Sequence, residues 1–152
     1  MDSIRIFGYK SFKKLSVQLH PINLLIGANG AGKSNFLSLF EMLGNIYEKR
    51  LGAYVAQVGG VDKLLYQGRK VTDRIAVNLL IAKSEYDLAL LESDGKLIVE
   101  REVVGCYDDV CPLDLVKKNV ITEFQSESSL KDHKEEDLSN YISQIRKFHF
   151  HD

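Results

Sequence analysis

The chain has 152 residues, 45% of them hydrophobic and 27% charged, with a formal net charge of −1. It is long enough for one domain with a sizeable core and too short for two large ones, and its composition is that of an ordinary soluble globular protein. No apolar stretch approaches the roughly 20 residues that span a bilayer, and Met1-Asp2-Ser3-Ile4-Arg5 lacks the basic and apolar regions of a signal peptide, so the expectation is a cytoplasmic chain with no membrane partner.

Ile4 and Ile6 alternate with Arg5 and Phe7, as in a strand. Leu15, Val17 and Leu19 share one face of a second strand, which Pro21 ends. The apolar run Ile22–Ile26, broken by Asn23, reads as a buried strand. It delivers the chain to Gly27-Ala28-Asn29-Gly30-Ala31-Gly32-Lys33-Ser34, a GxxxxGKS pattern with no departure. Glycines let such a loop turn tightly with its N–H groups inward, an anion-binding nest at a helix N-terminus. A lysine placed like Lys33 reaches the β- and γ-phosphates of a nucleotide, and a hydroxyl placed like that of Ser34 completes the shell of Mg²⁺. A bare glycine-rich turn would not explain why lysine and serine follow the last glycine. Gly27, Asn29, Gly30, Ala31, Gly32, Lys33, Ser34 and Asn35 are therefore the expected site for ATP, with Ser34 the Mg²⁺ ligand and Asn35 supporting the loop.

From Lys33 to about Tyr47 the apolar residues follow helical spacing, weakened at Gly44. Gly52 and Gly59-Gly60 mark a loop, and Val61–Tyr66 fits a short helix ending at Gly68. Three strands follow, Ile75–Ala82, Tyr86–Glu92 and Leu97–Val104, the last two joined by Asp94-Gly95, a strong hairpin-turn dipeptide. An antiparallel meander is unlike the alternating βα pattern of a doubly wound sheet. Beyond Gly105 the pattern weakens. Leu113–Lys118 fits a helical turn, and residues 126–137 are Ser-, Lys- and Glu-rich, as in a mobile surface loop. Leu138, Tyr141, Ile142 and Ile145 fit a helix face, and Lys147–His151 begins a strand.

Cys106 and Cys111 read as free thiols, with no histidine near in sequence to complete a metal site. His149 and His151 form an HxH pair, which strand alternation with Phe148 and Phe150 explains without a metal. Residues 1–80 carry 11 Lys/Arg against 5 Asp/Glu and residues 81–152 carry 9 against 16. The basic half holds the loop and suits a polyanion. DNA contact through Lys10, Lys13 and Lys14 stays open beside the simpler reading of a solvated basic edge.

Residues 1–35 resemble the N-terminus of ABC-type ATPases of the RecF/SMC group. The opening strand, the Gly8-Tyr9-Lys10-Ser11-Phe12 turn, the second strand, Pro21 and Gly27–Asn35 occur there in the same order. Tyr54–Gly60 and His149-Phe150-His151-Asp152 also resemble a bacterial family of predicted AAA-type ATPases. The resemblance implies an α/β P-loop NTPase N-terminal lobe, a mixed sheet with an antiparallel meander after the loop helix. In such families ATP sits between two heads, and a signature serine and a Walker B run ending in an Asp-Glu pair lie well downstream. Lys10, Ser11 and Phe12 would border the base or ribose. The glutamine that contacts Mg²⁺ and water has four rival counterparts here, Gln57, Gln125, His151 and Asp152.

No LSGG-like segment exists, and the apolar runs ending at Glu92 and Glu100 lack an Asp-Glu pair. Catalytic residues are thus unassigned. A small GTPase would need an NKxD-type reader, which neither Lys117-Lys118-Asn119 nor Lys131-Asp132-His133 supplies. The expectation is an ATP-binding lobe whose hydrolysis needs a C-terminal lobe or a second head, serving DNA repair or defence. The alternative is a nucleotide-binding or interaction module that does not hydrolyse ATP.

Overall fold

The structure, a computed structural model, describes residues 2–82, 84–106, 117–132 and 136–143. Its centre is a six-stranded sheet of β1 (Ser3–Tyr9), β2 (Phe12–Gln18), β3 (Arg74–Ile81), β4 (Ser84–Ser93), β5 (Lys96–Cys106) and β6 (Lys117–Gln125). The order is β2-β1-β3-β4-β5-β6 and every neighbouring pair is antiparallel. The sheet expected to be mixed is therefore antiparallel among the described residues. The meander is present, and Asp94 (φ 50°) and Gly95 (φ 77°) close its second hairpin in the left-handed region that a two-residue turn requires.

Alternation decides which face is covered. Ile4, Val77 and Leu88 belong with Ile6, Leu79, Tyr86 and Leu90 to the buried face, in register across β1, β3 and β4. Against it lies α1 (Lys33–Tyr47), which buries Phe36, Leu39, Met42, Leu43 and Ile46 along one stripe. A second helix, α2 (Leu51–Gln57), and a 3₁₀ turn at Val61–Lys63 occupy what the glycines suggested was a loop. Leu51, Tyr54 and Val55 are buried there, an i, i+3, i+4 stripe that carries the signal. A third helix, α3 (Glu136–Ser143), buries Ile142.

The segment expected to be a mobile loop is anchored through residue 132. Ser128 and Leu130 are buried, and a 3₁₀ turn spans Leu130–Asp132. The Glu127 carboxylate accepts from the N–H groups of Leu51 (3.0 Å) and Gly52 (3.4 Å), capping α2 from 75 residues away. A bulge between Glu102 and Val103 turns Glu102 into the core. Its carboxylate accepts from Tyr86 Oη (2.5 Å), Ser128 Oγ (2.6 Å) and Ser129 N (3.0 Å). Three donors compensate what burial of a carboxylate would otherwise cost.

The buried strand expected at Ile22–Ile26 does not form. Those residues belong to no strand, and Ile22, Leu24 and Ile26 are 90%, 81% and 84% exposed. An extended run becomes a strand only when a neighbour takes up its N–H and C=O groups. Among the described residues no strand lies alongside it. Of the later expectations, Cys111, His149, His151, Asp152, most of the 113–118 turn and the 147–151 strand lie outside the described residues.

Candidate nucleotide-binding site

The loop enters α1 through Gly32, the N-cap residue, at φ 93° and ψ 3°. The first bond of the helix runs from Phe36 N to Gly32 O (2.9 Å), so the N–H groups of Lys33, Ser34 and Asn35 precede the ladder. Glycine supplies no capping side chain, and no acid stands in the first turn to offset the positive end of the dipole. The sequence thus leaves the helix N-terminus for an anion from outside. Gly30 is also left-handed (φ 83°), with open space where a Cβ would lie. A Cβ on Gly32 would meet Ser11 Oγ at 3.1 Å and the Phe12 ring at 3.2 Å. Residues 27–31 are exposed, tightened by a turn from Ala31 N to Ala28 O (3.2 Å).

Lys33 folds back over this turn. Its Nζ donates to Gly27 O (2.6 Å) and Ala28 O (2.8 Å), so the ammonium sits at the mouth of the loop. An incoming phosphate would compete for the same cation with two neutral carbonyls, and charge-assisted bonds win such exchanges.

Behind the loop, the 8–12 turn is clamped to α1. Gly8 (φ 73°) passes so close to β3 that a Cβ would lie 2.1 Å from Arg74 O. Lys10 is left-handed as well (φ 46°). Asn35 Nδ2 donates to Ser11 Oγ (3.0 Å), Lys10 Nζ to Ser38 Oγ (2.7 Å), and Ser38 Oγ to Asn35 O (2.8 Å). Ser38 has one proton and two lone pairs, so Tyr9 Oη, 2.9 Å away, is the donor to it. Burial pushes the Tyr9 phenol well above its ordinary range and keeps it protonated for that task. Tyr54, also raised by burial, donates to Ser38 O (3.3 Å). Gly8 O accepts from Tyr66 N (2.9 Å) and Leu64 O from Lys10 N (2.7 Å), bringing residues 64–66 to the same corner.

Two hollows flank the first turn of α1. One, about 270 Å³, is apolar and lies between β2, the exposed 24–26 segment and Phe36. The other, about 710 Å³, is polar and is lined by Lys10, Asn35 and residues of the 62–70 segment.

The structure thus brings together Gly27–Asn35 with Lys10, Ser11 and Phe12, as expected. Gln57 ends α2 and Gln125 ends β6, both exposed, and neither lines these hollows. His151 and Asp152 lie outside the described residues. Glu92 accepts from Gly95 N (2.8 Å) and Glu100 pairs with Arg74 (2.8 Å), so both serve the meander. Among the described residues no group of three or more His, Cys, Asp or Glu side chains could hold a metal, and no helix is long and apolar enough to cross a membrane. Sequence reasoning missed Ser38 and Tyr9. Ser38 stands one turn beyond Ser34 on a helix whose neighbours are apolar, and that isolated hydroxyl was the available signal.

A family model of the AAA ATPase domain matches residues 1–149. The chain belongs to the AAA ATPase domain family. A search of curated proteins gave no match. Family membership carries nucleotide binding, and the loop with its helix N-terminus is where this ATPase domain has the chemistry for it.

Proposed function

We propose that this AAA ATPase domain is the ATP-binding lobe of an ABC-type, RecF/SMC-like ATPase, with hydrolysis completed by a C-terminal lobe or a second head. The observation that carries the site is the uncapped α1 N-terminus behind two left-handed glycines, with the Lys33 ammonium already at the loop mouth. The residues fit the nucleotide. Gly27, Asn29, Gly30, Ala31 and Gly32 supply the cradle, Lys33 meets the terminal phosphates, and Asn35 holds the loop to Ser11. Ser34, exposed at the helix start, would hold Mg²⁺, which supplies charge neutralisation for the phosphates when bound. The exposed Ile22–Ile26 segment supports a covering lobe, because three side chains that could each contribute about 1.5–3 kcal/mol on burial stand in water. The resemblance of residues 1–35 points the work of the ATPase to DNA repair or defence.

The test is Lys33→Ala, measured with a fluorescent ATP analogue and by thermal melting. Binding is expected to vanish while the melting temperature without nucleotide stays unchanged. An unaltered affinity would sink the site assignment. A second reading, a module that binds ATP without hydrolysing it, is favoured by the engagement of Glu92 and Glu100 in the meander. Phosphate release by this chain alone would exclude that reading.

A further inference from the structure

We propose that the polar cleft beside the first turn of α1 binds the phosphodiester backbone of a nucleic acid, with Lys63 and Lys70 as its main contacts. The proposal rests on reading residues 27–34 as the nucleotide loop, since that assigns the neighbouring anion site to ATP and leaves this cleft for a second ligand.

The lining decides the chemistry. Lys10, Lys63, Arg69 and Lys70 face the cleft against a single acid, Asp62. That acid is already committed. Its Oδ1 accepts from Arg69 N (2.9 Å) and its Oδ2 lies 3.3 Å from Arg69 Nε. Asp62 and Arg69 therefore cancel, while Lys63 and Lys70 are exposed and carry no ion pair among the described residues. Asn35 and Gln67 add amide donors. Leu65 is the apolar member, and none of the lining side chains is aromatic. A base would find nothing to stack on. A chain of phosphates would find separated cations and amides, the pattern of sequence-independent backbone contact.

The cleft is also built rather than incidental. Gln67 (φ 57°) and Gly68 (φ 75°) form a left-handed pair, an arrangement that costs energy at Gln67 and persists only where its surroundings fix it. Gly68 N donates to Leu65 O, and Val71 N and Thr72 N both donate to Gly68 O. Lys10 N and Tyr66 N tie the same turn to β1. The cleft's volume, about 710 Å³, is open and far larger than one anion needs. Asn35 borders both the cleft and the loop, so the two ligands would share the first turn of α1.

The experiment is a salt titration of a labelled DNA duplex binding to the full chain and to Lys63→Gln/Lys70→Gln. Wild type is expected to bind with a log–log salt slope that the double variant lowers by about two, with about tenfold weaker binding at low salt. The two single variants are each expected to lower it by about one. Affinity for a fluorescent ATP analogue and the melting temperature are expected to stay at wild-type values in all three. Lys33→Ala is expected to lose nucleotide and keep the duplex, so a failed nucleotide assignment shows up separately. Absence of duplex binding by wild type, or an unchanged slope in the variants, overturns the proposal. So does loss of ATP affinity in the variants, which would give the cleft to the nucleotide. Tripolyphosphate displacing the duplex at equal phosphate concentration would assign the cleft to free polyphosphate and overturn it too.

Discussion

Gly30 and Gly32 share the left-handed backbone but not the surroundings, and the pair separates what the loop owes to strain from what it owes to packing. Alanine at either position meets a left-handed penalty of roughly 1–2 kcal/mol. At Gly30 a Cβ enters open space within an exposed stretch, so the backbone relaxes locally and little reaches global stability. At Gly32 the Cβ presses on Ser11 Oγ and the Phe12 ring, and the backbone is fixed by the first bond of α1. Displacing Ser11 also loses the bond from Asn35, worth about 0.5–1.5 kcal/mol. The sum is about 2–4 kcal/mol for Gly32→Ala, or a fall of roughly 5–15 °C in melting temperature for a chain of this size. Gly30→Ala is expected to shift melting by less than about 3 °C on the same scale, yet to weaken ATP binding, because the nest is reshaped. Differential scanning calorimetry with parallel nucleotide titration decides it. Equal destabilisation by the two substitutions, or a neutral Gly32→Ala, would refute the reasoning.

Ser38→Ala is expected to cost about 1–3 kcal/mol by leaving the Tyr9 hydroxyl buried without an acceptor. In Tyr9→Phe that cost should shrink, and a double-mutant cycle in urea measures the coupling. Glu102→Gln sets an amide N–H₂ against donors from Tyr86, Ser128 and Ser129, and is expected to destabilise by about 1–3 kcal/mol in the same assay. Burial raises Tyr9, Tyr54 and Tyr86 above the ordinary value of 10.0. Above that pH the unfolded chain holds fewer protons than the native one, so stability is complete below about pH 10 and falls as pH rises further. Phenolate absorbance from these three should appear only with loss of near-ultraviolet dichroism. Their titration near pH 10 in a folded protein would contradict the burial argument.

The elements that proved legible are those whose cause is local. Helix α1 runs from Lys33 to Tyr47, the span its apolar spacing gave, and the Asp94-Gly95 hairpin follows from two adjacent residues that tolerate positive φ. Strand β6 was missed because Lys117-Lys118-Asn119 looks solvated and its pairing partner, β5, lies across a long connection. Helix α2 was hidden by glycines, and its cap, Glu127, is remote in sequence. The error at Ile22–Ile26 is of another kind. Apolar composition states what a segment would gain from burial, while a strand exists only where another backbone meets it. The same limit applies to the site. GxxxxGKS is contiguous and readable, whereas the clamp through Tyr9, Lys10 and Ser38 is assembled by the fold.

The 22–26 segment has a further consequence for handling the protein. An extended apolar run with unpaired backbone is a template for pairing with a copy of itself, and Pro21 protects only its start. Association rising steeply with concentration, seen by light scattering and relieved by Ile22→Lys or Leu24→Lys, would show the cost of holding a strand in readiness.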